Sequence, residues 1–437
     1  MPNSKKISPK ALIFSTYDSN GGASELTYRM AKALIDNGFQ VEMLVRHKTT
    51  NESFIHVIPQ PKINKSFIRR IINKLKRILY IKTPAFKTKP EYAFFPDEDE
   101  ATNHITADEI INKISFTPDY ILAGLTYGFV NTAILAELQK KTGAKTLQVM
   151  YDMSSLTGGC HVSWGCEGFK ADCNSCPGIL NNQFKDYAKT NLELKHKNIK
   201  NGNVGLLVPR AWSLFQANSS MLFRNGQKIS FNIPLDLDLF TNANRDLAKL
   251  IFNIPQNCKV IFAGSNNAKD ERKGRKYLVK ALDLFWDRIN DKERDKIIII
   301  LAGNYNHKDE QTSGIKFKKH LMEYIKDYRL LSLVYQASDI YVNPSLEDGG
   351  PMMVTEALAC GTPVVGFEMG YLFDNTYIKD GYNGYRVKMK DTMALSVAIE
   401  KVVLSPRTAE TEMNNNARRT ALEFFSQKNF SDTISSI

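Results

Sequence analysis

Two runs of alternating strand and helix, each with glycines at its strand ends, constrain this chain more than any other feature. In the first, "ALIFSTY" reads as a strand, "DSNGGAS" as a glycine turn, "ELTYRMAKALIDNG" as a helix with a glycine stop, and "FQVEMLV" as a second strand. "PDYILAG", the helix "NTAILAELQKKTG" and the strand "AKTLQVMYD" continue it. A second run starts near residue 258: strand "CKVIFAGS", helix "RKYLVKALDLFWDRI", strand "KIIIILAG", a helix around "IKFKKHLMEYIKDY", strand "SDIYVNPS", then a glycine loop, a helix and the strand "TPVVGF". Strands alternating with helices predict an α/β fold with parallel sheets covered on both faces. The 437 residues exceed the roughly 250–300 that one core supports, so two domains are expected, meeting around "FNIPLDLDLF". Ligands of such sheets bind beyond the carboxyl ends of the strands.

Composition and charge narrow the partners. The chain is 43% hydrophobic and 24% charged, ordinary for a globular protein, and its most apolar run, "IIIILAG", falls far short of the roughly 18 residues that span a bilayer. The N-terminal lysines lead into only a short apolar stretch, so no cleaved signal is expected and the protein is placed in the cytoplasm. The net charge of +12 is uneven: residues 61–90 hold ten Lys or Arg and no Asp or Glu. Within them Phe67, Ile68, Ile71, Ile72, Leu75, Ile78 and Leu79 recur at helical spacing, which predicts a basic amphipathic helix over 66–81. Such a helix suits an anionic membrane surface at the inner face of the cell membrane, or packs on its own domain with a solvated basic face. No nucleic-acid-binding signature accompanies it, and nucleic acid is not expected as a partner.

The stretch "SLEDGGPMMVTEALACGTPVV" concentrates the chemistry. Pro351 suits the start of a helix, Glu356 then falls within its first two turns, and Cys360-Gly361 ends it before a strand from Thr362 to Phe367. A helix N-terminus at Gly350, Pro351 and Met352 offers backbone N–H groups to an anion, phosphate above all. Glu347, Asp348 and Glu356 surround it; carboxylates can accept hydrogen bonds from two hydroxyls at once. Upstream, "RKG" (Arg272, Lys273, Gly274) places positive charge after the strand "IFAGS". Gly21 and Gly22, after the first strand, allow a close approach between backbone and ligand.

Taken together, "RKG", "PSLEDGGPMMVTEALACGTPVV", "DGYNGYRV", "IPLDLDLF" and the N-terminal "GGAS" resemble the GT-B glycosyltransferases of the large retaining family 4, which includes exopolysaccharide and colanic-acid-type enzymes. The resemblance implies two Rossmann-like domains facing a central cleft: an acceptor-side domain over 1–236 with a basic insertion at about 61–95, a donor domain over 237–418, and a helix over 419–437 returning to the first domain. It implies a hexosyltransferase-type enzyme that moves a sugar from a nucleotide-sugar donor to a glycan, lipid-linked acceptor in cell-surface polysaccharide synthesis. The family's two acids are separated by seven residues, which pairs Asp348 with Glu356; Glu356 would bind the ribose and Asp348 would lie by the donor sugar. Lys273 matches the phosphate-binding lysine. The usual Arg after the first donor-domain strand is absent, leaving Arg272 as a substitute. Where many members carry His before Asp, this chain has Tyr151-Asp152, and a phenol with its ordinary pKa near 10 is a poor base at neutral pH. His161 is the nearby alternative, and transfer with retention needs no side-chain base if the leaving phosphate takes the acceptor proton. No catalytic metal is expected, and "DLD" at 236–238 reads as structural.

Four of the six cysteines, Cys160, Cys166, Cys173 and Cys176, fall in a loop over 158–177. Cytoplasmic thiols stay reduced, so a cluster ending in C-x-x-C reads as a structural zinc site, with free thiols or a redox-sensitive pair as the other readings. Cys258 and Cys360 read as buried small residues. Two other functions stay open: a protein that binds nucleotide sugars without turnover, and a glycoside hydrolase using two carboxylates, which would need no diphosphate site.

Overall fold

The computed structural model describes residues 8–19, 21–58, 86–94, 99–209, 212–267, 270–304 and 314–437. The basic stretch 66–81 lies outside them. By its internal contacts the chain divides into two units, 1–208 with 216–230 and 435–437, and 209–215 with 231–434.

The first unit holds one seven-stranded sheet of β1 (Lys10–Tyr17), β2 (Gln40–His47), β3 (Ile55–Val57), β4 (Tyr120–Ala123), β5 (Lys145–Val149), β6 (Gly205–Pro209) and β7 (Lys228–Phe231). Their order is β3-β2-β1-β4-β5-β6-β7. The recorded registers are parallel; Leu12, for example, faces Glu42 on one side and Ile121 on the other. The central strands are buried along nearly their whole length, as a sheet covered on both faces requires. Helix Gly22–Asp36 follows β1 and buries Leu26, Met30, Ala31 and Leu34. Helix Thr132–Thr142 starts where the Asn131 side chain accepts from the Ile134 N–H and stops at Gly143, whose φ of 73° suits glycine.

The second unit repeats the plan with β8 (Lys259–Asn267), β9 (Ile297–Asn304), β10 (Lys318–Met322), β11 (Ile340–Asn343), β12 (Val364–Phe367) and β13 (Gly384–Val387). The order is β10-β9-β8-β11-β12-β13, all parallel where registered. In both sheets the order reverses beside the first strand, between β1 and β4 and between β8 and β11. Those reversals are where open α/β sheets leave a crevice for ligands.

One expectation fails here. The stretch "IKFKKHLMEYIKDY" forms no helix; its middle is β10, which pairs in parallel with β9 from Lys318–Ile298 to Met322–Ala302. Its apolar residues fit a helical spacing, but β9 would otherwise present an unpaired edge, and the ladder outweighs the local pattern. Ile315 and Phe317 bury into the unit, with Phe317 against Phe285 and Trp286.

A buried ion network that nothing in the sequence advertises anchors the start of β8. The Asp339 carboxylate, 2% exposed, accepts from the Val260 N–H (2.7 Å) and sits 3.2 Å from Lys249 Nζ and 3.3 Å from Arg245. Burial pushes this carboxyl up, but Lys249, Arg245 and Lys259 outweigh it and hold it below the ordinary 3.8. A folded-state pKa below the unfolded one means stability that is present at neutral pH and lost as pH falls through the unfolded and then the folded value. Asp339→Ala leaves a buried ammonium unpaired and is expected to cost about 3–5 kcal/mol in urea unfolding at pH 7. That deficit should shrink as pH falls below about 4; an unchanged deficit at acid pH would contradict the assignment.

Candidate donor site

The second unit brings Lys273, Asp348 and Glu356 to the reversal between β8 and β11. The short turn Glu271–Lys273 follows β8, and the loop 344–351 follows β11. The Leu346 N–H donates to the Arg272 carbonyl at 2.7 Å. Gly274 has a φ of 64°, and a Cβ there would lie 1.7 Å from the Pro344 carbonyl oxygen. Only glycine lets the two loops close to this distance. Their closure puts Lys273 Nζ 2.5 Å from Asp348 Oδ2, across 75 positions of sequence. The two side chains are 28% and 17% exposed, so the pair is half-buried with a face toward solvent. Burial pushes the Asp348 carboxyl up; the Lys273 charge and hydrogen bond, helped by Arg272 and the Gly350 N–H, bring it below the ordinary carboxylate range.

Helix Met352–Ala359 begins directly after this loop. Pro351 is its cap rather than its first residue, one position earlier than the sequence suggests, with the φ of −64° that its ring imposes. Gly350 has a φ of 149° and packs near Tyr371. The Ser213 hydroxyl donates to the Gly349 carbonyl at 2.5 Å, tying the turn down from a neighbouring segment. Gly264, near the end of β8, faces Met353, where a Cβ would meet the Met353 methyl at 2.8 Å. The strand end and the helix start are thus in contact. Glu356 is 2% exposed and accepts from the Tyr335 hydroxyl at 3.0 Å, a partner that no sequence signal points to. Arg272, the candidate phosphate arginine, is gripped by Asp270 through its Nε (3.1 Å) and Nη2 (2.5 Å). Glu347 is half-buried beside Asp348. Asp236 accepts from the N–H groups of Asp238 and Leu239, a turn-forming role in line with a structural reading. Cys258 and Cys360 are both buried.

The first-unit candidates occupy the corresponding strand ends. Gly21 has a φ of 85° and open space beside it, so the backbone turn, not crowding, calls for glycine; Gly22 opens the following helix. Tyr151 turns inward: its hydroxyl lies 2.7 Å from Thr27 Oγ1 and 3.6 Å from Met30 Sδ, and burial drives its pKa well up. Asp152 pairs with His161, Oδ2 to Nδ1 at 2.6 Å, and caps a short turn through the Ser154 N–H. A cavity of about 60 Å³ opens at the ends of β4 and β5, lined among others by His104, Gln148, Tyr151 and Ser154. Cys160, Cys166, Cys173 and Cys176 are unpaired thiols around a second, smaller cavity.

Chemically, the second-unit site places an ammonium and the N–H groups of a helix start beside two oriented carboxylates. That set can hold a diphosphate by charge and hydroxyls by acceptance.

Comparison with known proteins bears on the fold and on the second unit. Residues 250–420 match the family model of the glycosyl transferases group 1. An uncharacterized glycosyltransferase of Methanocaldococcus jannaschii is 28% identical over 163 residues, 36% of this chain and 39% of that protein. The D-inositol 3-phosphate glycosyltransferase of Corynebacterium diphtheriae is 28% identical over 180 residues, 38% of this chain and 40% of that protein. The chain thus aligns with less than half the length of these relatives. Among solved structures, sucrose-phosphate synthase from Thermosynechococcus elongatus superposes with a TM-score of 0.65 at 16% identity, covering 98% of both chains. WaaG, a glycosyltransferase involved in lipopolysaccharide biosynthesis, gives 0.63 at 12% identity, covering 98% of this chain and 99% of its own. Anabaena HepE in complex with UDP and glucose gives 0.61 at 14%, covering 98% of both. The fold is GT-B, with two Rossmann-like parallel sheets.

Gly274→Ala tests the loop closure on which the site rests. The added methyl meets backbone at 1.7 Å in a left-handed conformation, and about 1–3 kcal/mol of destabilisation is expected in denaturant unfolding. A variant as stable as the parent would show that the two loops are not closed as described.

Proposed function

We propose that this chain is a retaining glycosyltransferase that moves a sugar from a nucleotide-sugar donor to a lipid-linked glycan acceptor in cell-surface polysaccharide synthesis. The observation that carries the reading is the convergence of Lys273, Asp348 and Glu356 on one helix start at the β8–β11 reversal. Glu356, oriented by Tyr335, would take the ribose; Asp348 would lie by the donor sugar; Lys273 and the helix start would take the diphosphate. Lys273 is the group that matters most for bond breaking, because negative charge grows on the leaving phosphate as the glycosidic C–O bond opens. Its ammonium has three donors and gives one to Asp348, so it can bridge carboxylate and phosphate together. The new bond forms between the anomeric carbon and the acceptor oxygen, and the acceptor proton passes to the departing phosphate. No side-chain base and no catalytic metal enter this scheme. The matching HepE structure holds UDP, which supports a nucleotide-sugar donor.

The Asp152–His161 pair belongs to the acceptor or sugar side in this reading. Tyr151 does not, because its hydroxyl is engaged by Thr27. That same observation favours the second reading, a protein that binds a nucleotide sugar without turning it over. Release of nucleoside diphosphate on addition of acceptor separates the two, and also separates transfer from simple glycoside hydrolysis.

Glu356→Ala and Lys273→Ala, assayed as folded protein, should each lower kcat/KM for transfer by 10²-fold or more, about 2.7 kcal/mol of transition-state stabilisation. Wild-type turnover should survive EDTA, with the anomeric configuration retained. Near-normal transfer by either variant, or an inverted product, would overturn the assignment.

The basic stretch 66–81 is proposed to hold the enzyme on anionic lipid, where such an acceptor would sit. No helix among the described residues is long and apolar enough to cross a membrane. Each basic residue near an anionic surface contributes on the order of 1 kcal/mol, and salt screens it. Wild type should co-sediment with anionic vesicles at low salt and with neutral vesicles poorly. Equal sedimentation after Arg69, Arg70, Lys74 and Arg77 are changed to Gln would rule the anchor out.

A further inference from the structure

The loop between β5 and helix Tyr187–Gly202 is about forty residues long, yet it holds only three short turns, Met153–Ser155, Gly168–Lys170 and Asn182–Phe184. A loop of that length with so little regular structure needs something to order it. Part of the answer is the segment 86–94. Phe94 bridges Cys160 and Thr88 bridges Ile179, both antiparallel. The Trp164 indole also donates to the Glu91 carbonyl at 2.7 Å. Those contacts frame the loop but leave a cavity of about 20 Å³ in it, and all four clustered cysteines line that cavity, closed over by Tyr92 and Phe169.

We propose that Cys160, Cys166, Cys173 and Cys176 bind one zinc ion, which fixes the loop that carries His161. Four observations support this. The volume suits one small occupant, since a single water needs about 10–15 Å³, while thiols are poor partners for water. Backbone N–H groups are aimed at the sulfurs: Gly168 at Cys166 (3.5 Å), Gly158 at Cys173, and Gly178 and Ile179 at Cys176. Such donors offset the negative charge of coordinated thiolates. Trp164, Cys173 and Ser175 all have left-handed backbone (φ 48°, 54° and 52°), a conformation that non-glycine residues keep only when their surroundings impose it. Lastly, Lys195 is 4% exposed, donates to the Ser154 and Thr157 carbonyls, and pairs with no carboxylate among the described residues. A tetrathiolate zinc centre carries two negative charges, and Cys173 is near enough to Lys195 to share an electrostatic interaction with it. A zinc centre therefore supplies the counter-charge that this buried ammonium lacks.

Among the described residues no three Cys, His, Asp or Glu side chains are already grouped to hold an ion. Binding therefore draws the sulfurs inward from the cavity wall, to about 2.3 Å from the metal and about 3.8 Å from one another. It releases the four thiol protons. With four protein ligands the ion has no open position, so its role is to hold structure, not to react. The cysteine cluster adjoins the first-unit candidates directly: Cys160 is the neighbour of His161, whose ring holds Asp152.

Metal analysis of full-length protein purified under reducing conditions without chelator should find close to one zinc per chain. Titration with an organomercurial should release it in step with four thiols. Cobalt substitution should give the sulfur-to-metal charge-transfer and tetrahedral d–d absorption of a thiolate site. Cys176→Ser should lower zinc content at least tenfold, whereas Cys258→Ser should leave it unchanged. Because Cys176→Ser risks misfolding, the mercurial and cobalt measurements on the unmutated protein stand independently of it. Protein that is folded, reduced and free of bound zinc after dialysis against the ion would overturn the proposal. So would a Cys173–Cys176 disulfide in mass spectra of the freshly isolated chain, or a cobalt spectrum without thiolate bands.

Discussion

The candidate site depends on one close approach, that of the turn after β8 to the loop after β11. A glycine with left-handed φ packs against the Pro344 carbonyl, and the next contact along is the Leu346 N–H on the Arg272 carbonyl. Lys273 and Asp348 then have little choice but to meet. The pair forms where the strand order reverses, the place where such a sheet topology leaves a crevice. The helix that follows contributes its N-terminus at the same point, so cation, N–H groups and carboxylates are gathered by backbone geometry, not by flexible side chains. In the proposed transfer this rigidity would serve the chemistry, because charge stabilisation is most effective when the groups need not move as charge develops.

The first unit uses the same sheet plan differently. Its reversal carries a glycine turn after β1 and a small cavity at the ends of β4 and β5, and its candidates pair as Asp152 with His161, with no lysine among them. The long excursion after β5 does most of the work there. It sends Tyr151 inward onto Thr27, leaves Asp152 to orient His161, and returns to the domain through the cysteine loop. Replacing the expected His by Tyr at 151 therefore changes more than a pKa. The Tyr151 ring lines the cavity at the ends of β4 and β5, while its hydroxyl meets Thr27 of the first helix.

The strands and helices of both runs could be read locally because burial on both faces of a parallel sheet leaves short apolar runs, and helices leave a 3.6-residue period. The pairing of Asp348 with Glu356 is what the family resemblance implies; periodicity alone does not single it out from Glu347. The edge strand β10 was misread because its apolar spacing satisfies a helix as well as it satisfies a strand, and only the presence of β9 distinguishes the two. The Asp339 network went unseen because its members, at 245, 249, 259 and 339, are ordinary surface types scattered in sequence. Tyr335 as the partner of Glu356 was hidden likewise, since a buried tyrosine on an amphipathic helix looks like core.

The sequence by itself determined the class of fold and the two-sheet division, since both follow from periodicity and glycine placement within short spans; the candidate site residues came from their resemblance to a family motif. Tertiary structure alone decided which of those residues meet. Lys273 and Asp348 are brought together by the lacing of two loops that are neighbours only because β8 and β11 are adjacent in the sheet. Arg272 is claimed by Asp270 and Tyr151 by Thr27 for equally non-local reasons of packing. A chain specifies its elements through contacts a few residues apart. The pairing of polar groups across 75 or 124 positions is settled only when those elements pack, because only then are the competing partners in reach.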